Sequence, residues 1–222
     1  MRKFSLRLTA VSDLIMHNGR TANPIDPATR EIEEAFRNWK RQKTDEAFYQ
    51  LARAEFMGSL YYHEQDDVII GPYWPSENLH SALKRAGAKV KAGRATLKNP
   101  IAAALFWESE INPLSYAGPQ PGRPAPRAAA DLWDCPRYRY TRAVRVGSSK
   151  VMRTRALFAG WGIEVSGRVD TEVLDLADLE AVARVAGQVV GIGDWRPEKG
   201  GTYGRFETSL TDLGDYDPLR ET

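Results

Sequence analysis

The sequence predicts an α+β protein with a ferredoxin-like core that carries a helical insertion and an Arg-rich β-hairpin. Three observations predict this class. They are an alternating apolar segment near the start, two capped helices in residues 27–60, and a strand–helix–loop–strand series near the end. A chain of 222 residues is long enough to bury a sizeable core, so we expect residues 1–222 to form a single domain.

The first elements are a strand and the helical insertion. Residues 3–11 (KFSLRLTAV) alternate apolar and polar side chains, which is typical of a half-buried strand. The insertion, about residues 27–60, begins where Asp26 predicts an N-cap and Pro27 the first helical position. Thr44, followed by two acidic residues, predicts the start of a second helix.

The middle of the chain predicts a strand, a helix and a hairpin. Val68–Ile70 is a short apolar strand, and Ser76 is the expected N-cap of the helix that follows. Residues 138–146 and 151–158 are predicted as paired strands, the first with an Arg-rich face. The Pro-rich stretch 117–130 predicts a flexible loop or projecting arm.

The last part of the chain shows the clearest pattern. Residues 161–170 predict a strand, 176–189 a helix, and 206–210 a final strand after a glycine-rich loop. This series is half of a βαββαβ fold, and the first strand with the Ser76 helix supplies elements of the other half. The acidic end, 211–222, is expected to be a loose tail.

Composition limits the classes of function. No run of about 18 apolar residues predicts a membrane span, and the first residues lack the apolar stretch of a signal peptide. Cys135 is the single cysteine, so internal disulfides are excluded and a cytoplasmic location is favoured. The three histidines are scattered and form no zinc-binding pattern, so we expect neither a metal nor a cofactor.

Charge is unevenly distributed along the chain. Residues 79–155 contain 15 Lys and Arg but four acidic residues, although the net charge of the whole chain is only +2. Such a basic stretch favours a polyanionic partner, because neutralising phosphates releases condensed counterions. The alternative is a solvated surface that is balanced in space by the acidic segments.

The glycine-rich loop GIGDWRPEKGGTYGRF, residues 191–206, combines glycines with cations and aromatic rings. Glycine amides can form a nest for phosphate oxygens. Arg196 and Arg205 are expected to pair with those oxygens, and Trp195 or Tyr203 to stack on unpaired bases. The alternative is a tight loop that only packs helix against sheet, with Arg205 in a structural ion pair.

This loop, together with GPYWPSENLHSALKRAG (residues 71–87), resembles the repeat-associated mysterious proteins (RAMPs), the RNA-binding subunits of CRISPR effector complexes. The resemblance rests on the position, composition and terminal GRF of the loop, and on the proline–serine turn into a helix that ends in basic residues. It implies a ferredoxin-like, RRM-type core and a backbone subunit that oligomerises along RNA. The resemblance also allows a second interpretation, in which the protein is a solitary relative of these subunits carried by a phage or mobile element.

The predicted partner is single-stranded nucleic acid, RNA before DNA, with self-association or other effector subunits and no membrane. The residues expected to bind it are basic side chains of the Ser76 helix and hairpin, and the glycine loop: Lys84, Arg85, Arg139, Arg142, Arg145, Lys150, Arg153, Gly191, Gly193, Trp195, Arg196, Gly200, Gly201, Tyr203, Gly204 and Arg205.

Two other functions stay open from the sequence. The RAMP resemblance also implies a metal-dependent endoribonuclease, for which Asp26 and His17 are weak catalytic candidates after the first strand. Asp26 is explained more simply as a helix cap. A protein-interaction or inhibitory module that mimics a CRISPR subunit is the second alternative.

Overall fold

The computed structural model describes residues 1–66, 68–146 and 149–217; the side chains of residues 145, 146 and 149 lie outside this description. The chain is an α+β protein with antiparallel sheets. It divides into two compact units. Unit 1 contains residues 1–14, 73–116 and 159–222, and unit 2 contains residues 15–72 and 117–158. Whether they amount to one domain stays a prediction.

The helices and strands follow the chain in a mixed order. The strands are β1 (Arg2–Ala10), β2 (Leu14–Ile15), β3 (Tyr62–Gln65), β4 (Val68–Pro75), β5 (Lys91–Ala92), β6 (Ala95–Thr96), β7 (Leu105–Trp107), β8 (Ile111–Pro113), β9 (Arg139–Val146), β10 (Ser149–Phe158), β11 (Gly162–Val169) and β12 (Phe206–Asp215). The helices are α1 (Pro27–Gln42), α2 (Asp45–Ser59), α3 (Ser76–Gly87), α4 (Lys98–Ala104), α5 (Ala129–Asp134) and α6 (Leu176–Val185).

Unit 1 is built on a four-stranded sheet in the order β12-β1-β11-β7. Strand β1 pairs antiparallel with β11 and β12, and β11 pairs antiparallel with β7. The predicted alternation in β1 is confirmed, because Phe4, Leu6 and Leu8 are completely buried. Leu6 lies opposite Val165 on one neighbour and Leu210 on the other. These side chains form one layer of the unit's apolar core.

The helix before the glycine loop begins and ends close to its predicted bounds. The Asp175 carboxylate caps α6 by accepting the Asp178 N–H at 2.8 Å. Leu179 and Val182 are buried, as their helical spacing predicts. A π-helical turn, Ala186–Val190, follows α6 and leads directly into the loop.

Two local predictions about unit 1 were wrong. Pro75, and not Ser76, is the N-cap of α3, while the buried Ser76 hydroxyl donates to the Ser109 carbonyl at 2.5 Å. The expected tail also begins later than predicted, because β12 continues to Asp215 alongside β1. Residues 218–222 of that tail lie outside the described residues.

Unit 2 contains the predicted insertion as two helices. Asp26 caps α1 by accepting the Ala28 N–H at 2.9 Å, and Thr44 caps α2 by accepting the Ala47 N–H at 3.2 Å. Both capping predictions are confirmed. Phe56 of α2 packs edge-on against Trp133 of α5, with ring centroids 5.4 Å apart. The hairpin β9–β10 also belongs to this unit, in a sheet of order β2-β10-β9.

Candidate nucleic-acid interface

The glycine loop, residues 191–205, joins the π-helical turn to β12 in unit 1. Its two ends meet, because Ile192 N–H donates to the Gly204 carbonyl at 3.0 Å. The residues just after β1 hold the same end, since Gly204 N–H donates to the Asp13 carbonyl at 2.7 Å. The Arg205 N–H donates to the Ser12 hydroxyl at 3.0 Å. The end of the loop is thereby fixed to the residues that follow β1, a central strand of the sheet.

The amide groups of the loop donate mainly within the protein. Gly191 N–H donates to Ala186, Gly200 N–H to Pro197 and Gly201 N–H to Arg196, at 2.7–3.1 Å. With the Gly204 bond to Asp13, four of the glycines expected to form a phosphate nest have their N–H groups bound internally. Gly193 completes the predicted set, with φ of +76°. Contacts to a phosphate would therefore come from side chains of the loop.

Two adjacent glycines show why the loop needs a bare backbone. A Cβ atom on Gly201 would lie 1.7 Å from the Trp195 carbonyl oxygen, so no side chain fits there. Gly200 has open space around its Cβ position but adopts a φ of +77°, which L-residues disfavour. The close backbone approach expected from the sequence is thus an approach of the loop to itself.

Trp195 combines an unusual backbone conformation with an exposed side chain. It adopts a φ of +51° and its surface is 44% exposed. A bulky residue in the left-handed region is a backbone outlier, and such outliers cluster at functional sites. The Tyr203 N–H donates to the Trp195 carbonyl at 3.2 Å, so both predicted stacking residues belong to one hydrogen-bonded turn. Tyr203 itself is half-buried.

The arginines of the loop lie against acceptors of the same unit. Arg205 donates through Nη1 to the Gln188 carbonyl. Arg196 donates through Nη1 to the Gly193 carbonyl at 3.1 Å and through Nη2 to Glu198 Oε2 at 3.1 Å. Arg85, at the end of α3, donates to the same Glu198 oxygen at 2.6 Å. The structure therefore brings Arg85 and the loop together, as a phosphate-binding surface requires.

The Glu198 carboxyl is ionised by these neighbours. Its partial burial acts to raise its pKa, but hydrogen bonds and charge from Arg85 and Arg196 outweigh burial and hold the pKa below its usual range. Lys84, the residue before Arg85, is exposed. Glu198 was not among the residues predicted from the sequence, although its position between Arg196 and Lys199 was a signal for an ion pair.

The predicted hairpin residues belong to unit 2 and are held by its own side chains. Arg139 lies over the Trp133 ring at 4.9 Å, and Arg142 donates to the Tyr140 hydroxyl at 2.9 Å. Arg153 donates to Glu55 at 2.5 Å. Lys150 is exposed, and the Arg145 side chain lies outside the described residues.

The expected Arg-rich face of β9 is divided by the strand register. Arg142 lies opposite Arg153, whereas Arg139 lies opposite the buried Ala156. Positions three residues apart on a strand point to opposite faces, so 139 and 142 do not share one. Arg139 and Arg142 are three positions apart and not two, so their placement on opposite faces of β9 could have been predicted from the sequence.

The catalytic candidates also lie in unit 2. The Asp26 carboxylate is engaged in capping α1. His17, although exposed, lines a cavity of about 380 Å³ together with Glu55, Arg153 and Arg155. Desolvation by its surroundings and the positive charge of Arg155 lower the pKa of His17 to about 4. At neutral pH the imidazole is therefore uncharged and a weak base.

Glu55 is the buried acid that organises this cavity. It is 7% exposed, and it accepts the Thr154 N–H at 2.8 Å in addition to the Arg153 guanidinium. Burial raises the pKa of Glu55, against the lowering effects of Thr154 and Arg153. No local pattern in the sequence predicts this pair, because its partners are 98 positions apart.

Metal ligands and membrane spans are not found in the described part of the chain. Among residues 1–66, 68–146 and 149–217, no three His, Cys, Asp or Glu side chains are grouped to hold a metal ion. Within the same residues, no helix combines the length and apolar character that crossing a membrane requires.

The chain matches no protein-family model, and no curated protein matches it. Its function is therefore inferred from the geometry of its own residues.

Proposed function

We propose that this chain binds single-stranded nucleic acid, RNA in preference to DNA, through the glycine loop and the end of α3. We further propose that unit 1 is a ferredoxin-like core of the RAMP type, and that the protein is a backbone-subunit-like RNA-binding protein that oligomerises along its nucleic acid. The proposal includes no catalytic step.

The order of elements in unit 1 supports the ferredoxin-like assignment. A βαββαβ chain places its strands in the order 4-1-3-2, with all neighbours antiparallel and one helix in each crossover. Counting β1, β7, β11 and β12 as its four strands gives the same order. Helix α3 lies in the chain between β1 and β7, and α6 lies between β11 and β12. The glycine loop then follows the second core helix, as in the RAMP resemblance.

The observation that carries the binding proposal is the conformation of Trp195. Its left-handed backbone costs free energy, of order 1–3 kcal/mol for a residue in a sparsely populated region. The fold nevertheless keeps this residue 44% exposed instead of burying it. An indole at the surface is a stacking platform for an unpaired base.

The charges around Trp195 fit the backbone of such a strand. Arg196 follows it directly, and Glu198 links Arg196 to Arg85 of α3. Arg85 keeps 44% of its side chain exposed, and Lys84 beside it is exposed. Cations next to an exposed aromatic ring are the combination that binds single strands without strong sequence preference.

Trp195→Ala tests this proposal by removing the platform. Base stacking is worth about 1–3 kcal/mol per base. We therefore expect affinity for a fluorescent uridine decamer, measured by anisotropy at fixed salt, to fall about fivefold to a hundredfold. The free energy of unfolding should fall only modestly, because 44% of the residue is already exposed in the folded protein.

Phe106→Ala is the matched control. Phe106 is an aromatic residue of the same unit with 41% exposure, on β7 and outside the loop. Its removal should leave RNA affinity unchanged. Equal RNA affinity of the Trp195→Ala variant and the wild-type protein would contradict a stacking role. Failure of the wild-type protein to bind RNA or DNA at low salt would reject the function as a whole.

Oligomerisation along RNA has its own test. The purified protein should carry nucleic acid and elute as a large species that collapses on treatment with RNase. Residues 117–128, which form neither helix nor strand, are the segment proposed to contact a neighbouring copy. A monomeric elution volume in the presence of saturating RNA would contradict this part of the proposal.

A further inference from the structure

A basic cavity of about 410 Å³ lies beside the last turn of α3 in unit 1. Its polar lining combines four cations with a single acid: Ser81, Lys84, Arg85, Lys89, Lys98 and Glu198. Three of the cations come from α3 and the residues just after it, and Lys98 is the first residue of α4. Packing of α4 against α3 thus adds a charge that repels the others. An anion bound in the cavity would relieve that repulsion.

Among the described residues of this lining, Glu198 supplies the only negative charge. Its Oε2 atom accepts from Arg85 Nη1 at 2.6 Å, from Arg196 Nη2 at 3.1 Å and from Arg196 Nε at 3.3 Å. Three guanidinium N–H groups from two arginines thus converge on one oxygen. Convergent arginine donors are the arrangement that proteins use for phosphate oxygens.

We propose that this cavity is a binding site for a phosphate group, and that Glu198 occupies the place of one phosphate oxygen in the free protein. The inference rests on the proposed function, since the phosphate belongs to the bound strand. Its source is either an internal phosphodiester or a 5′-terminal phosphate, which share the same oxyanion chemistry. A phosphate offers more oxygens than a carboxylate, so it can engage Lys84 and Lys98 as well as the arginines.

The consequence is competition between the protein's own carboxylate and its ligand. Glu198 lies on a short 3-10 turn, Pro197–Lys199, and 26% of its side chain is exposed, so it is accessible to exchange. A phosphate must displace it from Arg85 and Arg196. Removing the charge of Glu198 should therefore strengthen binding, which is the opposite of what a purely structural ion pair predicts.

The test compares Glu198→Gln with Glu180→Gln, which removes the same charge from an exposed position on α6 of the same unit. The probe is a uridine decamer with a 3′ fluorescein label, carrying either a 5′-hydroxyl or a 5′-phosphate. Glu198→Gln should bind about fivefold more tightly than the wild-type protein, on the scale of an exposed ion pair. Its salt dependence should steepen by about 0.7 in log–log slope per added phosphate contact. Glu180→Gln should match the wild-type protein.

The two RNA probes identify the source of the phosphate. An equal gain on both probes indicates an internal phosphodiester, and a gain confined to the phosphorylated probe indicates a terminal phosphate. In the Glu198→Gln background, Lys84→Ala with Lys98→Ala should abolish the gain. The Glu180→Gln variant, which removes the same negative charge elsewhere in unit 1, separates a phosphate site from a general effect of charge.

The outcomes separate this inference from the proposed function. If the wild-type protein binds RNA and loses affinity on Trp195→Ala, but the two glutamine variants bind alike, the phosphate site is overturned and the function stands. If no variant binds RNA, the function fails, and inorganic phosphate becomes the probe. Calorimetric binding of phosphate to Glu198→Gln, but not to its Lys84→Ala/Lys98→Ala derivative, would then support the site, and absence of heat would overturn it.

Discussion

The glycine loop of unit 1 and the β9–β10 hairpin of unit 2 contain similar arginines but use them differently. In the loop, Arg196 shares an exposed carboxylate with Arg85, next to an exposed indole. In the hairpin, Arg153 is bound to Glu55, which is 7% exposed. An ion pair at a surface is exchangeable, whereas breaking a buried one leaves an uncompensated charge. Arginine content alone therefore does not define a binding surface.

The strongest test of this contrast is Glu55→Ala. We expect it to lower the free energy of unfolding by about 3 kcal/mol, because it leaves the Arg153 charge and the Thr154 N–H without their acceptor. Urea unfolding followed by circular dichroism measures the change. Glu33→Ala is the control, since Glu33 lines the same cavity but is exposed, and it should fall within about 0.5 kcal/mol of the wild-type protein. Equal losses in both variants would contradict a structural role for the pair.

The next test compares two adjacent glycines of the loop, Gly200 and Gly201. Gly201→Ala should cost about 2 kcal/mol, because its Cβ would collide with the Trp195 carbonyl. Gly200→Ala should cost about 1 kcal/mol, the conformational penalty of a left-handed residue in open space. Thermal unfolding of both variants measures the difference. A larger loss for Gly200→Ala would show that the left-handed backbone, and not the close approach, limits the loop. RNA affinity should follow the same order, because Gly201 supports the turn that holds Trp195.

The last test concerns pH and His17, whose exposed position screens part of the energy that accompanies its lowered pKa. The pKa of His17 in the folded protein is about 4, below its ordinary 6.5. Its contribution to stability is therefore present above pH 6.5 and is lost as the pH falls towards 4. Glu55 acts in the opposite direction, because its raised pKa favours folding at lower pH.

His17→Gln isolates the histidine contribution. The loss of stability between pH 7 and pH 4.5 should be smaller in this variant than in the wild-type protein. His63→Gln, also in unit 2, serves as the control for the loss of an imidazole outside the cavity. An unchanged pH dependence in His17→Gln would contradict the lowered pKa. Arg153, Arg155 and Glu33 also line the cavity and remain in both proteins.

Much of the secondary structure was predictable because it depends on local rules. The alternation in β1, the caps at Asp26 and Thr44 and the helical spacing before the glycine loop each act within a few residues. Strand β7 was missed because it has only three residues and directly follows α4. Ser76 was wrongly expected to cap α3, because its hydroxyl is bound to Ser109, 33 positions away.

The candidate site was only partly predictable for a related reason. The loop's glycines, Trp195 and Arg196 were found from composition, which is a local signal. The acids that pair with the arginines were not predicted. Glu198 is 113 positions from Arg85 in the sequence, and Glu55 is 98 positions from Arg153. Such partners are chosen by the tertiary structure, and a single sequence contains no direct record of them.

The most direct measurement is photo-crosslinking of a 4-thiouridine RNA to the full chain, followed by mass spectrometry of the crosslinked peptides. It compares the two regions in one sample without any substitution. Crosslinks concentrated in residues 191–205, with Trp195 or Tyr203 as attachment points, are the result that we predict. Crosslinks confined to the β9–β10 hairpin, or none above a double-stranded RNA control, would contradict the assignment of the glycine loop as the binding surface.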